Sequence, residues 1–188
     1  MISRFRGALL LSLISGILLT LSFPKINFSF LAWVGFFPFF LAIENRPPGE
    51  AFFLGWLAGI AHFATLLYWV TIAMTNYGGF SLWISTFLLI LLSLYLGLYV
   101  GIFGGLLSFF RSRYLYVSIF VPPILWVLLE YLRTHLLSGF PWGLLGYSQF
   151  RHLYLIQISD LTGVYGVSFL LVLVNVSSYL IIRWIVLC

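Results

Sequence analysis

The chain has 188 residues, of which 63% are hydrophobic and 7% charged, with a mean hydropathy of +1.14. A soluble domain carries about 25% charged residues, so too few are present here to coat a water-facing surface, and a soluble globular protein is excluded. The formal net charge of +5 is scattered at the ends of apolar runs, where it reads topology and lipid headgroups rather than nucleic acid.

A spanning helix needs roughly 20 mostly apolar residues, whereas a barrel strand alternates in polarity. Continuous runs such as Phe87-Leu88-Leu89-Ile90-Leu91-Leu92 favour helices. The predicted fold class is an all-α polytopic membrane protein with about six transmembrane helices, over 7–22, 28–43, 51–73, 81–110, 115–136 and 161–182.

The start, Met1-Ile2-Ser3-Arg4-Phe5-Arg6, is a basic lead into an apolar run that ends near Leu21. A secretory signal shares this shape, but no A-x-A site precedes Phe23 and more spans follow, so an uncleaved first helix is favoured. Pro24-Lys25-Ile26-Asn27 joins it to the second span. The next connector, Glu44 to Glu50, carries Pro47 and Pro48, which stop a helix. Gly55 and Gly59 in the third span, and Gly97, Gly101 and Gly105 with Gly104 in the fourth, recur at helical spacing. Such stripes let helix backbones pack closely. The fourth span is long enough to imply tilt, and Pro122-Pro123 is a kink candidate in the fifth.

His62 lies alone in an apolar span and is read as a hydrogen-bond partner for a neighbouring helix. His62, His135 and His152 have no metal-ligand spacing, and the single cysteine, Cys188, excludes an internal disulfide. No metal or cofactor is expected. His135 and His152 flank Ser138, Ser148 and Asp160, but no strained nucleophile turn accompanies them. They are read as interfacial histidines, with Asp160 as N-cap of the sixth span. Asn175, midway along that span, is read as glue between two helices.

Glu130 and Arg133 share one face at the end of the fifth span. Charges near lipid pair with each other or face a cavity. Two readings follow: a mutual ion pair that snorkels to the interface, or the lining of a polar site at headgroup depth. Beyond them runs Gly139-Phe140-Pro141-Trp142-Gly143-Leu144-Leu145-Gly146-Tyr147-Ser148-Gln149. Aromatic rings suit the interface, and its glycines and proline shape sharp turns. An articulated loop lying along the membrane surface is expected.

With the N-terminus in the cytoplasm, Arg4, Arg6, Arg46, Arg111, Arg113 and Arg183 lie inside, and Lys25, Arg133 and Arg151 outside. This satisfies the positive-inside bias, six against three. The 138–160 connection then faces outward.

The run GFPWGLLGYSQ over residues 139–149 resembles the outer-loop signature of the bacterial apolipoprotein N-acyltransferases. LSFPKINFSFLAWVGFFPFFLAI (21–43) is similar to that family's first hairpin, and FLGWLAGIAHFATLLYWVTIAMTNYGG (53–79) to its third span and turn. PPILWVLLEYLR (122–133), with Glu130 and Arg133, and LTGVYGVSFLLVLVN (161–175) resemble the segments on either side of the signature. The ordered set is specific and covers nearly the whole chain.

The resemblance implies an inner-membrane, multi-pass location with a periplasmic 138–160 loop. It also implies an enzyme that moves an acyl chain from phospholipid to the N-terminal amine of a diacylglyceryl-cysteine lipoprotein. The family's chemistry belongs to a nitrilase-like domain with a Glu-Lys-Cys triad that follows the helices. The sequence stops at Cys188 without one, so residues 1–188 are expected to form a transmembrane domain alone, a truncated product or half of a split enzyme. The only lysine, Lys25, and Cys188 fall on opposite faces of the bilayer, so no triad is improvised and no catalytic residue is assigned. The chain is expected to be inactive alone. The implied partners are phospholipid, a lipoprotein precursor and a nitrilase-like domain on a separate chain, with no nucleic acid. Glu130, Arg133, Phe140, Pro141, Trp142, Tyr147 and Gln149 are the expected lining of a lipid cavity. The alternative is a non-enzymatic membrane scaffold or small transporter.

Overall fold

The computed structural model describes residues 2–110, 114–137 and 139–187, with side chains from Phe5 to Val186. Arg111, Arg113, Ser138 and Cys188, and the side chain of Arg4, lie outside the described residues. Helix α1 runs Ile2–Leu21, α2 Phe37–Ile43, α3 Pro48–Leu66, α4 Trp69–Asn76 and α5 Leu82–Phe109. Helix α6 runs Leu115–His135, α7 Leu153–Ile156, α8 Ser159–Thr162 and α9 Val164–Leu187. Every regular element among the described residues is helical. Four helices, α3, α5, α6 and α9, are long and apolar enough to cross a membrane. The apolar segments Phe5–Leu21 and Ser29–Ile43 are shorter.

The centre of the bundle is the antiparallel pair α3 and α5, and glycine makes their approach possible. A Cβ on Gly59 would come 2.7 Å from Gly97 Cα, and one on Gly55 would strike the Val100 carbonyl oxygen. Gly101 sits against Phe52, and a Cβ on Gly104, beside the expected stripe, would come 2.5 Å from the Ala51 oxygen. Gly105 meets Phe52 only at ordinary contact distance, 3.4 Å, so it is the one member of the stripe whose side chain position is not contested. Replacing Gly59 by Leu must push the two backbones apart. We expect a loss of roughly 1–3 kcal/mol, the range for overpacking, read as a lowered thermal midpoint in detergent, with Gly105→Ala close to wild type.

Helix α1 packs parallel to α3 on its other side. Thr20 Oγ1 lies 3.0 Å from His62 Nδ1, within hydrogen-bond reach, and also donates to the His62 carbonyl. The lone histidine thus ties two helices, as its apolar surroundings suggested.

Two predicted spans are interrupted. The expected helix over 28–43 is instead a short 3-10 turn, Ser29–Trp33, followed by a break and then α2. Gly35 and Pro38 fall in this stretch and weaken a continuous helix. A break inside lipid exposes backbone groups that water cannot reach, so side chains must satisfy them. Asn175 of α9 does so: its Oδ1 accepts the Phe36 N–H at 2.9 Å and its Nδ2 donates to the Ala32 carbonyl at 2.8 Å. Ser15 of α1 donates to the Gly35 carbonyl at 2.6 Å. The expected third span over 51–73 likewise ends as α3 at Leu66 and restarts as α4. The sixth begins later than expected, because Gly163 at φ +64° separates α8 from α9. Asp160 therefore sits in the first turn of α8, whose cap position is Ile158, and does not cap the long helix.

Phe36 and Phe103 pack edge-on to Trp126 at 4.6 and 5.1 Å between ring centroids. These rings join the broken second crossing, α5 and α6 into one core. Leu10, Phe87, Leu91, Ile124, Leu128 and Ile182 point outward, as lipid-facing residues do.

The bundle has two unlike ends. At one, Arg46 lies over the Phe5 ring, Ser108 donates to the Arg46 carbonyl, and Arg183 pairs with Glu44. At the other, Lys25 sits over Tyr68, His152 meets Ser29, and the 139–150 loop folds over the helices. Arg6, Arg46 and Arg183 gather at the first end.

Candidate functional site

The loop grows directly out of α6. After His135 the chain reverses through Leu137 (φ +51°) and Gly139 (φ +78°), and the Phe140 N–H returns to the Arg133 carbonyl at 2.9 Å. A Cβ on Gly139 would strike the Thr134 carbonyl oxygen, so this reversal requires glycine in both angle and space.

The two charged residues of α6 then hold the loop down. Arg133 Nη1 donates to the Trp142 carbonyl at 2.8 Å and Nη2 to the Gly143 carbonyl at 3.2 Å. Glu130 Oε1 accepts the Leu145 N–H at 2.7 Å. Both side chains are 3% exposed. Neither is hydrogen-bonded to the other, which corrects the snorkelling ion pair: Glu130 Oε1 and both Arg133 Nη atoms bond loop backbone instead. The guanidinium fork suits this task because it reaches two successive carbonyls at once. One residue on, the Gly146 N–H is accepted by Ser168 Oγ of α9 at 2.9 Å. Gln149, fully buried, accepts from Trp33 Nε1 at 3.2 Å and donates to the Ser29 carbonyl at 2.9 Å.

The expected lining residues therefore fall into two groups. Glu130, Arg133 and Gln149 are buried struts. Pro141, Trp142 and Tyr147 stand on the exposed edge, with Phe140 half-buried behind them. Trp142 stacks edge-on to Phe140 at 5.2 Å and to Trp69 of α4 at 6.3 Å. Arg133 lies 5.1 Å over the Phe63 ring while it holds the Trp142 carbonyl. The outcome is a fixed aromatic ledge at the end of the bundle, backed by buried charge.

Behind the ledge, Glu130 and Arg133 border a small cavity of about 10 Å³ with Phe63, Tyr99, Trp126 and Leu129. Glu130 Oε2 and Trp126 Nε1 have no protein hydrogen-bond partner. Sequence reading did not single out Trp126, Ser168 or Trp69. Trp126 was findable, since it precedes Glu130 by one helical turn, but nothing local marks Ser168 as a loop acceptor. The residues weighed for a triad are dispersed: His135 meets the Tyr131 carbonyl, His152 meets Ser29, and Ser148 accepts from Gln149. Among the described residues no three His, Cys, Asp or Glu side chains are grouped to hold a metal.

Residues 15–177, which include every strut and the whole ledge, match the family model described as the apolipoprotein N-acyltransferase N-terminal domain. The chain belongs to the apolipoprotein N-acyltransferase family. The apolipoprotein N-acyltransferase of Geobacter metallireducens is 47% identical over 93% of this chain and 33% of its own length. That of Rickettsia prowazekii is 34% identical over 66% of this chain and 25% of its own. That of Thermotoga maritima is 29% identical over 96% of this chain and 37% of its own. The chain thus spans about a third of the length of the first of these apolipoprotein N-acyltransferases, and the ledge lies within the stretch that matches the family's N-terminal domain.

Proposed function

We propose that this chain is the membrane module of an enzyme that transfers an acyl chain from phospholipid to the N-terminal amine of a lipoprotein's diacylglyceryl-cysteine. The observation that carries the proposal is the ledge: Trp142, Tyr147 and Pro141 exposed at one end of the bundle, on backbone clamped by Arg133 and Glu130. Positioning a reacting group is worth several kcal/mol only when its support is rigid, and buried charge-assisted bonds supply that rigidity. The module contributes anchorage and the placement of phospholipid and lipoprotein acyl chains. The acyl-transfer chemistry belongs to a nitrilase-like domain with a Glu-Lys-Cys triad, and the module by itself carries out no transfer.

The sidedness that fits is N-terminus inside, in a bacterial inner membrane, with the ledge and the 138–160 connection on the periplasmic face. The arginine bias supports this, and so does the gathering of Arg6, Arg46 and Arg183 at the end away from the ledge.

The test joins this chain to a relative's nitrilase-like domain and replaces Trp142 by Ala. Losing one aromatic contact of about 1.4 kcal/mol lowers kcat/KM roughly tenfold, with the thermal midpoint close to wild type because Trp142 is 55% exposed. Acyl transfer at the wild-type rate would remove the ledge from the function.

A further inference from the structure

At the end of the bundle opposite the ledge, two cavities adjoin one another. One, about 130 Å³, opens between α2, α5, α6 and α9 and is lined by Ile43, Leu107, Val121, Pro122 and Leu180. The second, about 150 Å³, lies on the α2 and α9 side against Phe37, Leu41, Ile182 and Val186. Glu44, Tyr179 and Arg183 line both. Arg183 Nε meets Glu44 Oε1 at 2.8 Å, and the two side chains remain 42% and 25% exposed. So one charged pair sits at the shared wall of two largely apolar slots, at the depth where spans give way to connectors.

That arrangement matches a diacyl lipid: one polar head, two tails. The pair also offers both signs of charge, so it complements a head that carries both. We propose that this end binds one glycerophospholipid with a primary-amine headgroup, its phosphate on Arg183, its ammonium on Glu44 and one acyl chain entering each slot. Breaking an exposed pair costs little, because such pairs contribute about 0–1 kcal/mol, and charge-assisted bonds to phosphate replace it. A free phosphate would use Arg183 but leave both slots unfilled, so the lipid is the occupant to which the geometry commits. With the sidedness proposed above, that lipid belongs to the inner leaflet. The site itself does not depend on what the ledge does.

The experiment uses the purified protein in nanodiscs with phosphatidylethanolamine bearing a diazirine in one acyl chain, and maps the labelled peptides by mass spectrometry. We expect adducts on α6 and α9 peptides containing Val121 and Leu180. Arg183→Gln should lower them at least fivefold, while labelling of 139–150 stays unchanged. Glu44→Gln, which keeps the phosphate contact, should abolish the preference for phosphatidylethanolamine over phosphatidylglycerol at these peptides. It also serves if Arg183→Gln fails to fold. Adducts at Val121 and Leu180 that are unaltered by either substitution would overturn the proposal. So would competition by millimolar inorganic phosphate, or equal labelling by phosphatidylglycerol in the wild type. Loss of labelling at 139–150 alone would count against the ledge and leave this site standing.

Discussion

Replacing Arg133 by Ala is expected to free the outer loop and to destabilise the protein by on the order of 3 kcal/mol. The side chain is nearly inaccessible, and its two donors hold the Trp142 and Gly143 carbonyls. Hydrogen bonds to a charged group contribute about 1.5–3 kcal/mol each, and the Glu130 carboxyl, one turn away, would lose the nearest positive charge. The Phe63 ring would lose its stacked cation as well. The measurement is limited proteolysis with thermal unfolding in detergent: rapid cleavage within 139–150 and a lower midpoint. Arg133→Lys should recover little, since an ammonium cannot span two successive carbonyls as a fork does. A variant that resists protease as the wild type does would show that the loop is held by something else.

The second large effect is expected at Asn175. Leu at this position keeps the branched heavy-atom outline but leaves the Phe36 N–H and the Ala32 carbonyl without partners. Both lie at the break in the second crossing, where water does not enter. An unpaired buried polar group costs about 1–3 kcal/mol, so a loss near 3 kcal/mol is expected for the pair. Denaturation in mixed micelles would read it, together with hydrogen exchange at the Phe36 amide, which should accelerate by at least tenfold. Stability equal to the wild type would mean that the break is satisfied by another group.

Asn175 also shows why the fold was only partly legible. Hydropathy averages over a window, so it locates apolar stretches but cannot tell a continuous helix from two pieces whose broken backbone is repaired by a distant side chain. The repairing residue is 139 positions from Phe36. The glycine stripes fared differently, because spacing alone puts Gly55 and Gly59 on one face, and that face meets α5. Even so, the register that makes Gly104 crowded and Gly105 free depends on where the helices cross.

At the site, type and neighbourhood were readable but role was not. Glu130 and Arg133 stood out as charges near lipid, and sequence spacing suggested that they meet each other. The return of the loop offers them backbone groups instead, and a carboxylate or guanidinium takes whichever partner completes the buried bonding. Gln149 was expected beside Trp142 on the lining. A tight helical turn over Leu145–Gln149 points it inward, to Trp33 and Ser29. Trp142 remains outside because it precedes that turn, and Tyr147 because it sits on the turn's exposed side while Gln149 sits on the buried one.

The most direct test of the ledge places a photoreactive benzoylphenylalanine at Tyr147, and separately at Tyr116, which is more accessible still and lies at the far end of the bundle. Each variant is irradiated in membranes that contain a diacylglyceryl-modified lipoprotein precursor. The account predicts crosslinks to the lipoprotein from position 147 and background from 116. Equal yields from the two positions, or none from 147, would contradict it.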